Sequence, residues 1–419
     1  MRASCLPGKV KTTHFMLIAI MLLILIMANF SSFAQTPVSA INTKDSVPSV
    51  DLTDFLRKVF KKKQDSLKQA RTVAILPTFG YNPSFGLQIG GKISAQKILG
   101  DPKNTSTSTV GVIAVYTSKG IANFQAINSI FTRGDKMIFQ GNIQFAFFQV
   151  VDYGIGAGIG YPDSADEIKF KYLKFYEKAY IKVAPHFYVG GGLNINNRFS
   201  IGDKNLSDSF KTAHYNYSVE NSFDTLKYKA NGYILALQYN TRENPIRSYG
   251  GMYADVNLQV NQKWLSSTKN SVQLAYDFRK YWSLSKRNPE TVLAIWSLAA
   301  FKLSGTLPYL EMPNTASDPY ARSGRGYTIS RFKGPSYFYF ETEYRFPITR
   351  NKLISGVCFV NTQTTSNNIN KELFGTWASA GGAGLRVLFQ KLSRTTICFD
   401  YAFGQYGSSG LFIGLNEAF

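Results

Sequence analysis

The chain has 419 residues, a formal net charge of +21, 44% hydrophobic and 15% aromatic residues, and only three cysteines. With Cys5 near the N-terminus, the remaining Cys358 and Cys398 exclude a disulfide scaffold and show no metal-ligand spacing. In a cytoplasmic protein this basic excess would point to nucleic acid, but the N-terminus argues for export and turns the expectation to anionic lipid head groups or a polar lumen.

Lys9 and Lys11 precede an apolar run from Phe15 to Ala28, and the following Asn-Phe-Ser-Ser-Phe-Ala places small residues, Ser32 and Ala34, ahead of Gln35. This is the pattern of a cleaved signal peptide over residues 1–34. A membrane anchor is the rival, but the run falls short of the roughly 20 apolar residues a spanning helix needs. No cysteine follows the run, which argues against a lipoprotein. Removing Arg2, Lys9 and Lys11 leaves a charge of +18 on the mature chain.

Residues 35–71 read as a periplasmic segment. Its first part, to Val50, is a linker rich in Ser, Thr and Pro. Leu52, Phe55, Leu56, Val59 and Phe60 then follow helical spacing and end at Lys61, Lys62 and Lys63, which predicts a short amphipathic helix. It would lie on the membrane surface, plug the mouth of whatever structure follows or act as a spacer. The segment is too short for a further folded domain.

From residue 72 to 419 the chain alternates with a period of two. Met252, Ala254, Val256, Leu258 and Val260 oppose Tyr253, Asp255, Asn257, Gln259 and Asn261, and the segment at 269–283 repeats the pattern. Lys174, Lys178 and Lys182 form a basic row, with Glu177 on the other parity. In 336–347, Glu341, Glu343 and Arg345 alternate with Phe340, Thr342, Tyr344 and Phe346. About 16 such segments can be counted, an even number, as a single-chain outer-membrane barrel requires. The fold class expected is an all-β membrane protein, a 16-stranded antiparallel transmembrane β-barrel with a short N-terminal periplasmic helix. With a periplasmic N-terminus, the long connections 150–167, 199–228, 305–335 and 365–376 all fall on the outer side. The first four strands are the hardest to place, because 80–84 is a very tight turn for that side.

Three places in this pattern carry a resemblance to a known family. Gly324-Arg325-Gly326-Tyr327 stands in the connection before the twelfth segment, Asn240 to Pro245 forms a polar turn after the eighth, and Leu411, Ile413 and Leu415 alternate ahead of Phe419. Over residues 72–419 the chain resembles the Omp85 superfamily, the BamA/TamA-like bacterial surface antigens. The resemblance implies that loop six folds into the lumen and that Arg325 meets an acidic wall residue, with Asp400, Glu343 and Glu341 as candidates. It also implies that the end segment, Leu411, Ile413, Leu415 and Phe419, is the signal for assembly. Two features depart from the family pattern: residues 35–71 are too short for a POTRA domain, and Glu417 stands where the end signal is usually apolar.

The function expected from the resemblance is assistance to insertion or translocation of other proteins, with outer-membrane lipid and client outer-membrane proteins as partners and the outer membrane as location. The alternative is a channel or transporter with a charged lumen, and the basic row would favour anions. No nucleic acid, cofactor or metal is expected. Nor is an enzyme, since His186 and His214 stand in no nucleophile or metal pattern.

Overall fold

Residues 49–52, 54, 73–156, 165–367, 373–391 and 393–419 are described by the computed structural model. The expected signal peptide, most of the linker, and Phe55, Leu56, Val59 and Phe60 of the amphipathic helix lie outside the described residues.

Alternation forces a choice on each segment, because a strand in lipid must satisfy its backbone through neighbours and turn its apolar parity outward. The result is one antiparallel sheet closed on itself. Its strands are β1 Val73–Asn82, β2 Gly86–Ile98, β3 Thr107–Thr117, β4 Ala122–Phe131, β5 Met137–Asp152, β6 Asp166–Ala184, β7 Phe187–Asp203 and β8 Gly232–Asn240. They continue as β9 Gly251–Asn261, β10 Ser271–Ser283, β11 Val292–Gly305, β12 Tyr337–Pro347, β13 Ile354–Thr365, β14 Ala378–Gln390, β15 Thr395–Gly404 and β16 Ser409–Leu415. A two-residue strand, Tyr228–Lys229, pairs with β7 at Asn197 and Arg198 just before β8. Each barrel strand pairs with its sequence neighbours. Leu87, Ile89, Phe124, Leu235, Val360 and Phe403 stand exposed on the outer face, where lipid covers them.

The two ends differ, as the loop-length rule for such barrels requires. Connections 153–165, 204–231, 306–336 and 366–377 share the loop end, whereas 132–136, 185–186, 348–353 and 391–394 are among the short turns opposite. The tight turn at 83–85 does belong to the loop end. Asn82 closes it by accepting from Ser84 N at 2.8 Å and Phe85 N at 3.0 Å, and Gly86 continues it with a φ of 73°. Loop 306–336 rests on this turn, since Ile329 N donates to Ser84 Oγ at 2.7 Å.

The core sits inside the lumen. At the loop end, Tyr309, Leu310, Met312 and Ile329 of loop 306–336 pack with Ile168, Phe170 and Ile201 of the wall. Tyr217 of helix α1, Ala213–Glu220, and the following Phe223 join the same cluster. Tyr309 holds its centre: its hydroxyl donates to Asp152 at 2.7 Å and its ring lies 3.9 Å from the Lys333 ammonium. At the turn end, Asp51 caps the following residues by accepting from Asp54 N at 2.8 Å. Lys391 binds both, Asp51 through its backbone at 3.0 Å and Asp54 through its ammonium at 2.7 Å. The chain thus enters the barrel tied to the β14–β15 turn.

Tyr309→Ala should remove the centre of the loop-end cluster. We expect a loss of about 3–5 kcal/mol, as for a fully buried aromatic side chain, measured by urea unfolding in detergent. Loop 306–336 should also become cleavable by external protease on intact cells.

Candidate functional site

The site grows from the parity of β12. Tyr337, Tyr339, Glu341, Glu343 and Arg345 all face the lumen and are buried, while Tyr344 faces lipid. Two adjacent inward carboxylates on one strand repel each other and need cations in a confined space. Loop 306–336 supplies the central one. Gly324 and Gly326 take φ values of 78° and 102°, which L side chains rarely adopt, and this lets the loop dive inward and present Arg325.

Arg325 is 4% exposed. Its Nη1 donates to Asp400 of β15 at 2.8 Å, and its Nη2 donates to both Glu341 and Glu343. The guanidinium carbon lies 3.6 Å from the Phe359 ring centroid, and the Arg325 carbonyl accepts from Asn361 Nδ2 at 2.9 Å. A planar fork of donors that stays charged suits this three-carboxylate site better than an ammonium would. The wall makes room with glycine: a Cβ on Gly384 would sit 1.9 Å from Asp400 Oδ1, and one on Gly382 would sit 2.7 Å from the Phe359 ring.

Tyr327 completes the motif. Its hydroxyl donates to the Ser379 carbonyl at 2.5 Å and accepts from Gln405 N at 2.9 Å, while its ring packs edge-on against Phe332 at 4.9 Å. Gly326 lies close against the wall, accepting through its carbonyl from Ser408 Oγ at 2.7 Å. A Cβ on Gly326 would meet Ala380 Cβ at 2.7 Å.

The network extends beyond the residues singled out from the sequence. Arg386 of β14 binds Asp400 with one edge and donates from Nε to Glu417 at 2.7 Å with the other. Arg247, brought up from the 241–250 turn, lies 3.2 Å from Glu417 and donates to Ser355 Oγ at 2.8 Å. Arg345 donates to Glu343 at 2.7 Å and to the Phe419 carbonyl at 2.8 Å. Arg386 had a readable signal, a single charge within the apolar segment of β14. Arg247 had none, because its role depends on a turn crossing beneath the barrel.

The end segment divides. Leu411 faces lipid on β16, with Ile413 and Leu415 half-buried in the same row. Asn416 then adopts a φ of 70°, and beyond it Glu417 and Phe419 are buried in the lumen. The Phe419 ring lies 5.2 Å from Trp296 and 6.1 Å from Tyr281. Arg322 of the loop donates to the Leu415 carbonyl at 2.7 Å and also to that of Glu417. The unusual Glu417 is therefore a member of the arginine network.

Of the basic row, Lys178 is buried against Asp255 at 2.8 Å and Asn257 at 3.1 Å, Lys174 is half-buried, and Lys182 is exposed at the turn end. Glu177 lies on the outer face, where Asn128 Nδ2 donates to both its oxygens.

Arg325→Met leaves three carboxylates without their shared cation. Breaking such a buried pair costs about 3–5 kcal/mol, so unfolding in urea should shift by that order. The same substitution made in a Glu341→Gln, Glu343→Gln background should cost much less. Equal losses in both backgrounds would show that Arg325 acts through packing alone.

Comparison with known proteins places this geometry. No curated protein sequence matches the chain. BamA from Haemophilus ducreyi lacking POTRA domains 1–3 is similar in structure, with a TM-score of 0.55 at 14% identity over 83% of this chain and 70% of that one. CdiB from Escherichia coli gives 0.55 at 8% identity over 84% of this chain and 63% of its own. CdiB from Acinetobacter baumannii gives 0.51 at 10% identity over 83% and 60%. The chain thus spans less than two thirds of each CdiB chain, and these likenesses speak for the fold. The Omp85 superfamily domain matches residues 128–409, which include the inward loop and most of its wall, and the chain belongs to the Omp85 superfamily.

Proposed function

We propose that this barrel assists the insertion or translocation of other polypeptide chains at the outer membrane, admitting them at the seam between β1 and β16. The observation that carries this reading is the seam itself. β1 pairs with β2 along its full length, whereas β1 meets β16 at a single register position, Tyr81 opposite Ile413. A Cβ on Gly80 would sit 2.6 Å from the Ile413 carbonyl, so the backbones touch closely at that point. An edge held by so few backbone bonds leaves strand donors and acceptors that a client strand can take up.

The neighbours named BamA and CdiB fit the same reading. Export by a cleaved signal at residues 1–34 and a periplasmic segment at 35–71 belong to the proposal. A solute channel is the competing mechanism, and loop 306–336 opposes it by filling the loop end with the Tyr309 cluster. We assign no enzymatic step. His214 is held by Asp203 at 2.9 Å inside the loop-end cap, and His186 lies in a two-residue turn.

Cysteines at Tyr81 and Ile413, in a background lacking Cys358 and Cys398, should form a disulfide across the seam. Oxidation should stop client insertion or translocation, and reduction should restore it. Undiminished client handling by the oxidised protein would refute the seam mechanism.

The lumenal tail bears on the same seam. Phe419→Ala removes the ring that anchors the end of β16, so the 81–413 disulfide should form more slowly in that background. The rate of cross-linking under a fixed oxidant measures this.

A further inference from the structure

The lipid-facing wall of β2–β5 is indented. Cross-strand registers set Tyr116, Ala122, Phe147 and Lys171 in one outward row near the loop end, and Ala114, Phe124, Phe145 and Leu173 in the next. Gly91 lies beside Ala114. Small residues at these positions let the wall recede between Ile89, Tyr116, Phe124 and Phe147, leaving an open apolar groove of about 390 Å³.

A cation stands beside its loop end. At the loop end, the Lys171 ammonium lies 5.2 Å from the Phe147 ring centroid. Lys119, in the turn joining β3 to β4, points the other way and donates to the Pro83 carbonyl of the β1–β2 turn at 2.6 Å. Two rows further down from Ala114, the register brings Asn128, Gly141 and Glu177 together on the same outer face. Glu177 lies across the glycine to reach Asn128, and a Cβ on Gly141 would sit 1.7 Å from its carboxylate. The groove is therefore apolar along its length, with the Lys171 cation beside its outer end.

Within a bilayer, apolar burial gives no preference between lipid and protein, so selection rests on packing shape and charge. We propose that this groove binds one acyl chain of a phospholipid of net negative charge in the exterior-facing leaflet, with Lys171 beside its head group. The site is independent of the client-handling reading and stands or falls separately from it.

Native mass spectrometry of the full barrel in a neutral detergent tests the site. Phosphatidylglycerol and phosphatidylcholine with identical acyl chains are titrated separately, with inorganic phosphate as a third arm. The wild-type chain should retain phosphatidylglycerol, release phosphatidylcholine, and bind no phosphate. Lys171→Gln should weaken phosphatidylglycerol binding about fivefold, the contribution of one lysine near an anionic surface. Ala114→Leu with Ala122→Leu should fill the groove and abolish retention, whereas Ala383→Leu, on the lipid face of β14, should leave it unchanged. Equal retention of the two lipids by the wild-type chain, or full retention by the filled variant, would overturn the site. Should the filled variant not fold, unchanged binding by Lys171→Gln would do so alone.

Discussion

Burial of one guanidinium among three carboxylates constrains everything around it. Arg325 can enter the lumen only because Asp400, Glu341 and Glu343 already face it. Those carboxylates, in turn, can remain charged in a confined space only beside cations. One arginine does not balance three acids. Arg345 shares Glu343, and Arg386 shares Asp400 and connects it to Glu417, which Arg247 also approaches. Among the described residues, this central network thus sets four arginines against four carboxylates. It joins the inward loop, the 241–250 turn, β12, β14, β15 and the tail.

Such a network is a poor source of net stability, because the cost of removing its charges from water offsets much of their attraction. Its effect here is geometric. With Arg325 fixed, the loop must turn at Gly324 and Gly326, Tyr327 must lie along β14, and the remainder of the loop is held over the lumen as the Tyr309 cap. The tail is fixed by the same charges. Glu417 reaches Arg386 and Arg247, Phe419 is received by Trp296 and Tyr281, and Arg322 binds the carbonyl of Leu415 at the end of β16. The seam strand is therefore held from inside the lumen as much as by its ladder to β1.

Much of this was legible in the sequence because a period of two is read directly. Alternation gave the strand order, the long and short ends and the inward parity of Glu341, Glu343 and Arg345, while Asp400 was a candidate through the family resemblance. Parity says which wall a side chain faces, not which neighbours it meets, so the sharing of one guanidinium by three acids was not readable. The same holds for Lys178, which meets Asp255 across the lumen from another strand. The tail escaped for a different reason. Glu417 and Phe419 share the parity of Leu411 and Leu415 and would face lipid in an unbroken strand. Asn416 adopts the left-handed conformation, one that asparagine tolerates better than most residues, and turns both side chains inward.

The central claim is that the lumen network, acting through loop 306–336 and the tail, holds the seam strand in place. Backbone amide hydrogen exchange of β16 and β1, compared between the wild-type chain and Arg325→Met, measures it most directly. Exchange should quicken at Ser409–Leu415 and at Val73–Asn82 while the β6–β7 ladder keeps its protection. Seam amides that exchange at the wild-type rate in the variant would contradict the account.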